Sequence, residues 1–137
     1  MKGIDHIAIA VPNLEEASRF YQDVLGLHWA GVEALPEQKV RIAMFHAGAP
    51  GGAQIELLEP MSPDSPVAKF LKERGPGIHH ICLEVDDLEA EMARLRSRGT
   101  ALVDNKPRSG GHGTRIAFVH PRAAGGVLIE LRERRRK

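Results

Sequence analysis

The sequence predicts an α+β fold: two tandem βαβββ modules forming an open, curved mixed β-sheet cavity with helices outside. Three observations lead there. Segments of the first half recur in the second at one offset of 74 residues, strand-like alternation opens each half, and an amphipathic helical stretch follows each opening strand. Ile4-Asp5-His6-Ile7-Ala8-Ile9-Ala10-Val11 falls on Ile78-His79-His80-Ile81-Cys82-Leu83-Glu84-Val85. At the same offset Arg41-Ile42-Ala43-Met44-Phe45-His46 falls on Arg115-Ile116-Ala117-Phe118-Val119-His120, and Ile55-Glu56-Leu57-Leu58-Glu59 on Ile129-Glu130-Leu131-Arg132-Glu133. One such pairing can arise by chance, but three in order point to duplication of a module of roughly 60 residues.

The first strand is expected over Ile4 to Val11, followed by Asn13 as N-cap of a helix from about Leu14 to Leu25 that Gly26 ends. Leu14, Ala17, Phe20, Tyr21, Val24 and Leu25 lie on one face of that helix. In the second module a strand over Ile78 to Val85 leads to a helix from about Asp87 to Arg98, ended by Gly99, with Leu88, Met92 and Leu95 facing the sheet. Turn residues at Gly48 to Gly52 and Ala123 to Gly126 precede the last strand of each module. An extra helix is expected around Ser65 to Glu73. The whole reads as a single domain over 1–137: module one about 3–60, connector and extra helix about 61–77, module two about 78–133, and a basic tail 134–137.

Composition removes several classes of function. The chain has 137 residues, 42% hydrophobic and 27% charged, which is ordinary for a soluble domain. No apolar run approaches the roughly 20 residues that cross a bilayer, and no secretory h-region follows Met1, so a cytoplasmic protein starting near residue 1 is expected. The single cysteine, Cys82, can form neither an internal disulfide nor a thiolate zinc site. Net charge is +1, but residues 1–68 carry four basic against nine acidic groups and residues 69–137 fifteen against nine. The terminal basic run has no interleaved aromatics, which argues against nucleic-acid binding.

Strand parity places four residues. Side chains alternate between the faces of a strand, so His6 shares a face with Ala8 and Ala10, opposite Ile7, Ile9 and Val11, whose bulk must cover the helix. The alanines leave room beside His6. His80 repeats this placement, and Glu56 and Glu130 likewise oppose the apolar neighbours on their closing strands. A lone strand histidine is ordinarily a satisfied polar residue, and a lone strand glutamate is ordinarily solvated. Repetition changes the reading: two carboxylates kept beside two imidazoles in an interior need a compensating cation. Nitrogen and oxygen ligands without thiolate suit Zn, Co, Ni, Mn or Fe(II).

With these residues in place, the chain resembles the vicinal oxygen chelate superfamily, and over nearly its whole length it is similar to the methylmalonyl-CoA epimerases. The resembling motifs are Asp5-His6-Ile7-Ala8-Ile9-Ala10-Val11, Leu35-Pro36-Glu37-Gln38-Lys39-Val40, Glu56-Leu57-Leu58-Glu59-Pro60 and Asp64-Ser65-Pro66-Val67-Ala68-Lys69-Phe70-Leu71. They continue through Gly77-Ile78-His79-His80-Ile81, His112-Gly113, Phe118-Val119-His120-Pro121 and Gly126-Val127-Leu128-Ile129-Glu130-Leu131. The resemblance implies one divalent ion (Co, Zn, Mn or Ni) held by His6, Glu56, His80 and Glu130, with two open positions for two substrate oxygens. It implies α-proton abstraction from a (2R)- or (2S)-methylmalonyl-CoA thioester through a metal-stabilised enolate, with Glu130 as base. Some epimerases of the family carry a glutamate a few positions after Pro-Glu-Gln; here Ile42 stands there, leaving Glu37 as the nearest alternative carboxylate.

His112, in Ser109-Gly110-Gly111-His112-Gly113, and His120 are expected to line the substrate cavity. His46, the repeat partner of His120, and His79, on the face opposite His80, are not expected to be ligands. Lys69, Lys72 and Arg74 read as a solvated helix face. A homodimer is expected from the resemblance, and the partner is a small acyl-CoA rather than nucleic acid or membrane. The competing readings are a glyoxalase I-like lactoylglutathione lyase, a metal-free small-molecule-binding protein of the same fold and, third, an extradiol dioxygenase.

Overall fold

Apolar alternation and helix caps produce the same series of elements in each half of the chain. The computed structural model describes residues 1–133, with the backbone alone at His112, so the expected basic tail lies outside the described residues. The chain packs as two units, one of His6–His79 and one combining Met1–Asp5 with the chain from His80 onward.

The amino-terminal unit contains β1 (Gly3–Ala10, from His6 on), α1 (Leu14–Arg19), β2 (His28–Leu35), β3 (Val40–His46), β4 (Gln54–Pro60) and α2 (Pro66–Arg74). Its strands lie in the order β2-β3-β4-β1, antiparallel from β2 to β4, with β4 parallel to β1. Asn13 caps α1 as expected, its Oδ1 accepting the Glu16 N–H at 2.9 Å. The helix is shorter than periodicity suggested. After Arg19 the chain widens into a π-type turn over Phe20–Val24, where the Leu25 N–H reaches back five residues to the Phe20 carbonyl at 3.1 Å. Gly26, at φ 73°, then ends it. The wider turn breaks the 3.6-residue phase and swings Phe20, Val24 and Leu25 into solvent.

The two faces of this sheet are filled differently. On one, Val11, Phe45 and Leu57 pack with Leu14 of α1, joined by Ile9, Ala17 and Ile55, as parity predicts. The other is not left open by its alanines. Ala8 and Ala10 are fully buried beneath Ile42, Met44, Leu58 and Val67, with Phe70 and Leu71 of α2 packed against them. Small side chains here let α2 approach closely and fill the room that the sequence left empty.

In the carboxy-terminal unit β5 (Gly77–Val85, from His80 on), α3 (Leu88–Ser97), β6 (Arg108–Ser109), β7 (Arg115–Val119) and β8 (Ile129–Glu133) take the order β5-β8-β7-β6, with β5 parallel to β8. Leu88 and Met92 of α3 bury against Val85, Ala117, Val119 and Leu131. The counterpart of β2 shrinks to two residues and one bridge, Leu102 to Val119. Asp104, Asn105, Lys106 and Pro107 are poor strand formers, and Pro107 cannot donate to a ladder. Among the described residues no helix is long and apolar enough to cross a membrane.

The duplication extends to helix capping by a distant carboxylate. Glu59 Oε2 accepts the Leu14 N–H at 2.7 Å, and Glu133 Oε2 accepts the Leu88 N–H at 2.6 Å. Arg41 bridges Glu59 and Glu15, and Arg115 bridges Glu133 and Glu89, so each of these residues has its partner 74 positions on. These carboxylates hold both guanidinium pKa values above the usual arginine range. Replacing Glu59 by Ala removes an α1 cap and should cost about 1–2 kcal/mol in urea unfolding. Glu15→Ala, at the exposed end of the same network, should change stability by less than about 0.5 kcal/mol. Equal effects of the two variants would refute the cap.

Candidate metal centre

In the amino-terminal unit the register of β1 with β4 sets Ala8 opposite Glu56 and His6 opposite Gln54. His6 and Glu56 are therefore diagonal neighbours on the face opposite α1. His6 Nδ1 lies 3.1 Å from Glu56 Oε2, and the side chains are 2% and 7% exposed. Met44 stands opposite Glu56 on β3, at the start of the apolar surface that α2 covers.

The carboxy-terminal unit repeats the diagonal. Cys82 is opposite Glu130 on the parallel pair β5 and β8, and His80 Nε2 lies 2.8 Å from Glu130 Oε1, both side chains buried. Phe118, opposite Glu130 on β7, turns its ring edge-to-face toward His80, with centroids 5.7 Å apart at 89°. The Arg108 guanidinium lies over the same ring, Cζ 4.9 Å from the centroid. Asp104 holds that arrangement from behind: Oδ1 meets Arg108 Nε at 3.1 Å and Oδ2 accepts the Phe118 N–H at 2.7 Å.

Two residues beyond Glu130, Arg132 pairs with Asp5 at 3.1 Å and donates from Nη2 to the Gly111 carbonyl at 3.2 Å. Gly110 is required beside that turn, because a Cβ there would fall 2.6 Å from Ile116 Cγ2. The glycines of this segment thus close a tight turn on β7.

Each pair offers one imidazole nitrogen and one carboxylate oxygen from adjacent strands, buried away from bulk water. A carboxylate in such a place is stable only with a compensating positive charge, which either imidazolium or a cation can supply. The donor types fit a divalent transition metal, and neither pair includes a thiolate.

The other predicted residues are more dispersed. Glu37 is exposed in the turn joining β2 to β3, and the structure does not bring it to the His6 and Glu56 pair. His120 is half-buried and its Nδ1 accepts the Arg122 N–H at 3.2 Å, capping the short helical turn Pro121–Ala124. The His112 backbone lies in the turn Gly111–Gly113 whose first carbonyl Arg132 holds. His79 packs edge-on against Phe70, and His46 stacks on His28. Of the α2 cations, Arg74 lies over Phe70.

Sequence reasoning missed Arg108, Phe118 and Glu33. Phe118 could have been found by applying the alternation used for Glu130 to the neighbouring strand. Glu33, half-buried opposite Ile42 on the face of Met44 and Glu56, was also within reach of parity. Arg108 sits on a two-residue strand whose alternation is too short to read.

The family model of the Glyoxalase/Bleomycin resistance protein/Dioxygenase superfamily matches residues 5–118. That match defines the class. The mitochondrial methylmalonyl-CoA epimerase of Mus musculus is 40% identical over 95% of this chain and 72% of its own length. The crystal structure of methylmalonyl-CoA epimerase from Mycobacterium tuberculosis superposes with a TM-score of 0.91 at 44% identity, covering 98% of this chain and 89% of that one. A Streptomyces coelicolor methylmalonyl-CoA epimerase variant in complex with 2-nitronate-propionyl-CoA superposes with a TM-score of 0.90 at 38% identity, covering 97% of both chains. The chain belongs to this superfamily and, within it, to the family of the methylmalonyl-CoA epimerases.

Proposed function

We propose that this chain is a metal-dependent epimerase that interconverts (2R)- and (2S)-methylmalonyl-CoA, with His6, Glu56, His80 and Glu130 as ligands of one divalent ion. The observation that carries this reading is the repeated pair: the same buried histidine and glutamate, at the same diagonal of a parallel strand pair, in both units. The named activity of the family's relatives supplies the substrate. Imidazole and carboxylate donors suit cobalt, zinc, manganese or nickel. When bound, such an ion acts as a Lewis acid on the thioester oxygen and makes the α-carbon more acidic.

The chain's own residues do the rest. Glu130 removes the α-proton as general base, in surroundings that Phe118 and Cys82 keep apolar. Glu130 releases this proton to solvent, and a proton delivered from solvent water to the opposite face of the planar carbon inverts the centre. Glu37, exposed in its turn, takes no part in this reading. His112 and His120 are the proposed contacts for the remainder of the substrate. A cytoplasmic homodimer belongs to the same reading, and the exposed apolar residues Phe20, Val24, Leu25, Trp29 and Val32 are its natural interface.

The test is substrate choice by the metal-loaded protein. (2R)-Methylmalonyl-CoA should be converted to a mixture with its (2S) epimer, while the hemithioacetal of methylglyoxal and glutathione should not react. Turnover of the hemithioacetal alone would replace this reading with a lactoylglutathione lyase.

A further inference from the structure

We propose that Arg108 recognises the free carboxylate of the acyl group, and so selects malonyl-type thioesters over those of simple fatty acids. This rests on the epimerase reading and goes beyond it, because it assigns the feature of the substrate that the protein reads and the residue that reads it.

Arg108 is prepared for such a contact. Its Nε is taken by Asp104 and one face of its guanidinium by the Phe118 ring, which together fix the plane of the group. Among the described residues its two terminal nitrogens have no partner, and the side chain is 46% exposed. A planar guanidinium held at one edge keeps the other edge for a carboxylate, the geometry it matches best. Because Asp104 and Phe118 already order the side chain, little conformational entropy is lost when an anion docks.

Position decides which anion. The ring that carries Arg108 also meets His80 edge-on, and the residue opposite that ring is Glu130. Arg108 thus stands one aromatic ring away from the pair proposed to work on the α-carbon, on the same face of the sheet, and the group of a malonyl-type thioester nearest that carbon is its own carboxylate. The phosphates of the CoA lie at the far end of a long flexible arm. Arg108 also faces Ile116 in register, an apolar neighbour that offers no competing hydrogen bond.

The experiment is isothermal titration of the metal-loaded protein with malonyl-CoA and with propionyl-CoA, which differ only in carrying a carboxylate or a methyl group on the α-carbon. Wild type should bind malonyl-CoA more tightly. Arg108→Met should weaken malonyl-CoA binding by roughly 10–100-fold, as expected for loss of a charge-assisted bidentate contact, and leave propionyl-CoA within about twofold. Arg108→Lys, which keeps the charge without the fork, should recover part of the loss and serves as the second variant if the Met substitution unfolds. Equal weakening toward both ligands would assign Arg108 to the CoA phosphates and overturn the proposal, as would unchanged binding of both. Binding is read without turnover, so an inactive wild type that still discriminates in this way would sink the epimerase reading alone.

Discussion

Glu130→Gln should lower the rate of epimerisation by roughly two to four orders of magnitude, the range expected when a positioned general base is removed. The substitution is nearly isosteric and keeps an oxygen donor on β8 next to Cys82, so part of the metal should stay bound. It also keeps a hydrogen-bond partner for His80, which now faces Glu130 at 2.8 Å. The sheet should therefore remain intact by circular dichroism while chemistry stops. Measuring metal content and turnover on one preparation separates the two duties given to this carboxylate. If turnover stayed near wild type, Glu130 would not be a required base, and Glu33 would be the next carboxylate to replace.

Glu56→Ala tests the other half of the ligand set. Removing one of two anionic donors should weaken metal binding by more than the roughly 10–100-fold that follows loss of a residue merely supporting a ligand. Turnover should fall with it and recover partly when excess metal is supplied. Equilibrium dialysis against zinc or cobalt, followed by the epimerase assay, reads both. Full retention of metal and activity would reduce the site to three ligands and remove the pseudo-symmetric pairing from its chemistry.

The duplication was legible because the offset of 74 holds through strands, turns and the closing carboxylates alike. Parity was equally readable: His6 shares its face with Ala8, and Glu56 lies diagonal to it, as alternation requires. What escaped the sequence depends on contacts between distant segments. Nothing in Phe20 to Val24 announces a π-type turn, since the residues fit a regular helix as well. Ala8 and Ala10 looked like open space because the packing of α2 over them is tertiary. Glu59 and Glu133 appear in the sequence only as the last residues of a repeated segment, yet each reaches a helix start 45 residues away in sequence. The stack of Arg108 on Phe118 brings a residue from a two-residue strand over a ring that also touches His80, and no periodicity records that.

The most direct measurement is NMR of (2R)- and (2S)-methylmalonyl-CoA in deuterated water, with protein stripped of metal and then reconstituted with cobalt, zinc, manganese or nickel. The expected result is deuterium entering the α-position together with inversion, only when metal is present, and from either epimer. Absence of α-exchange with every metal, in protein shown by dialysis to hold one, would contradict epimerisation by this chain.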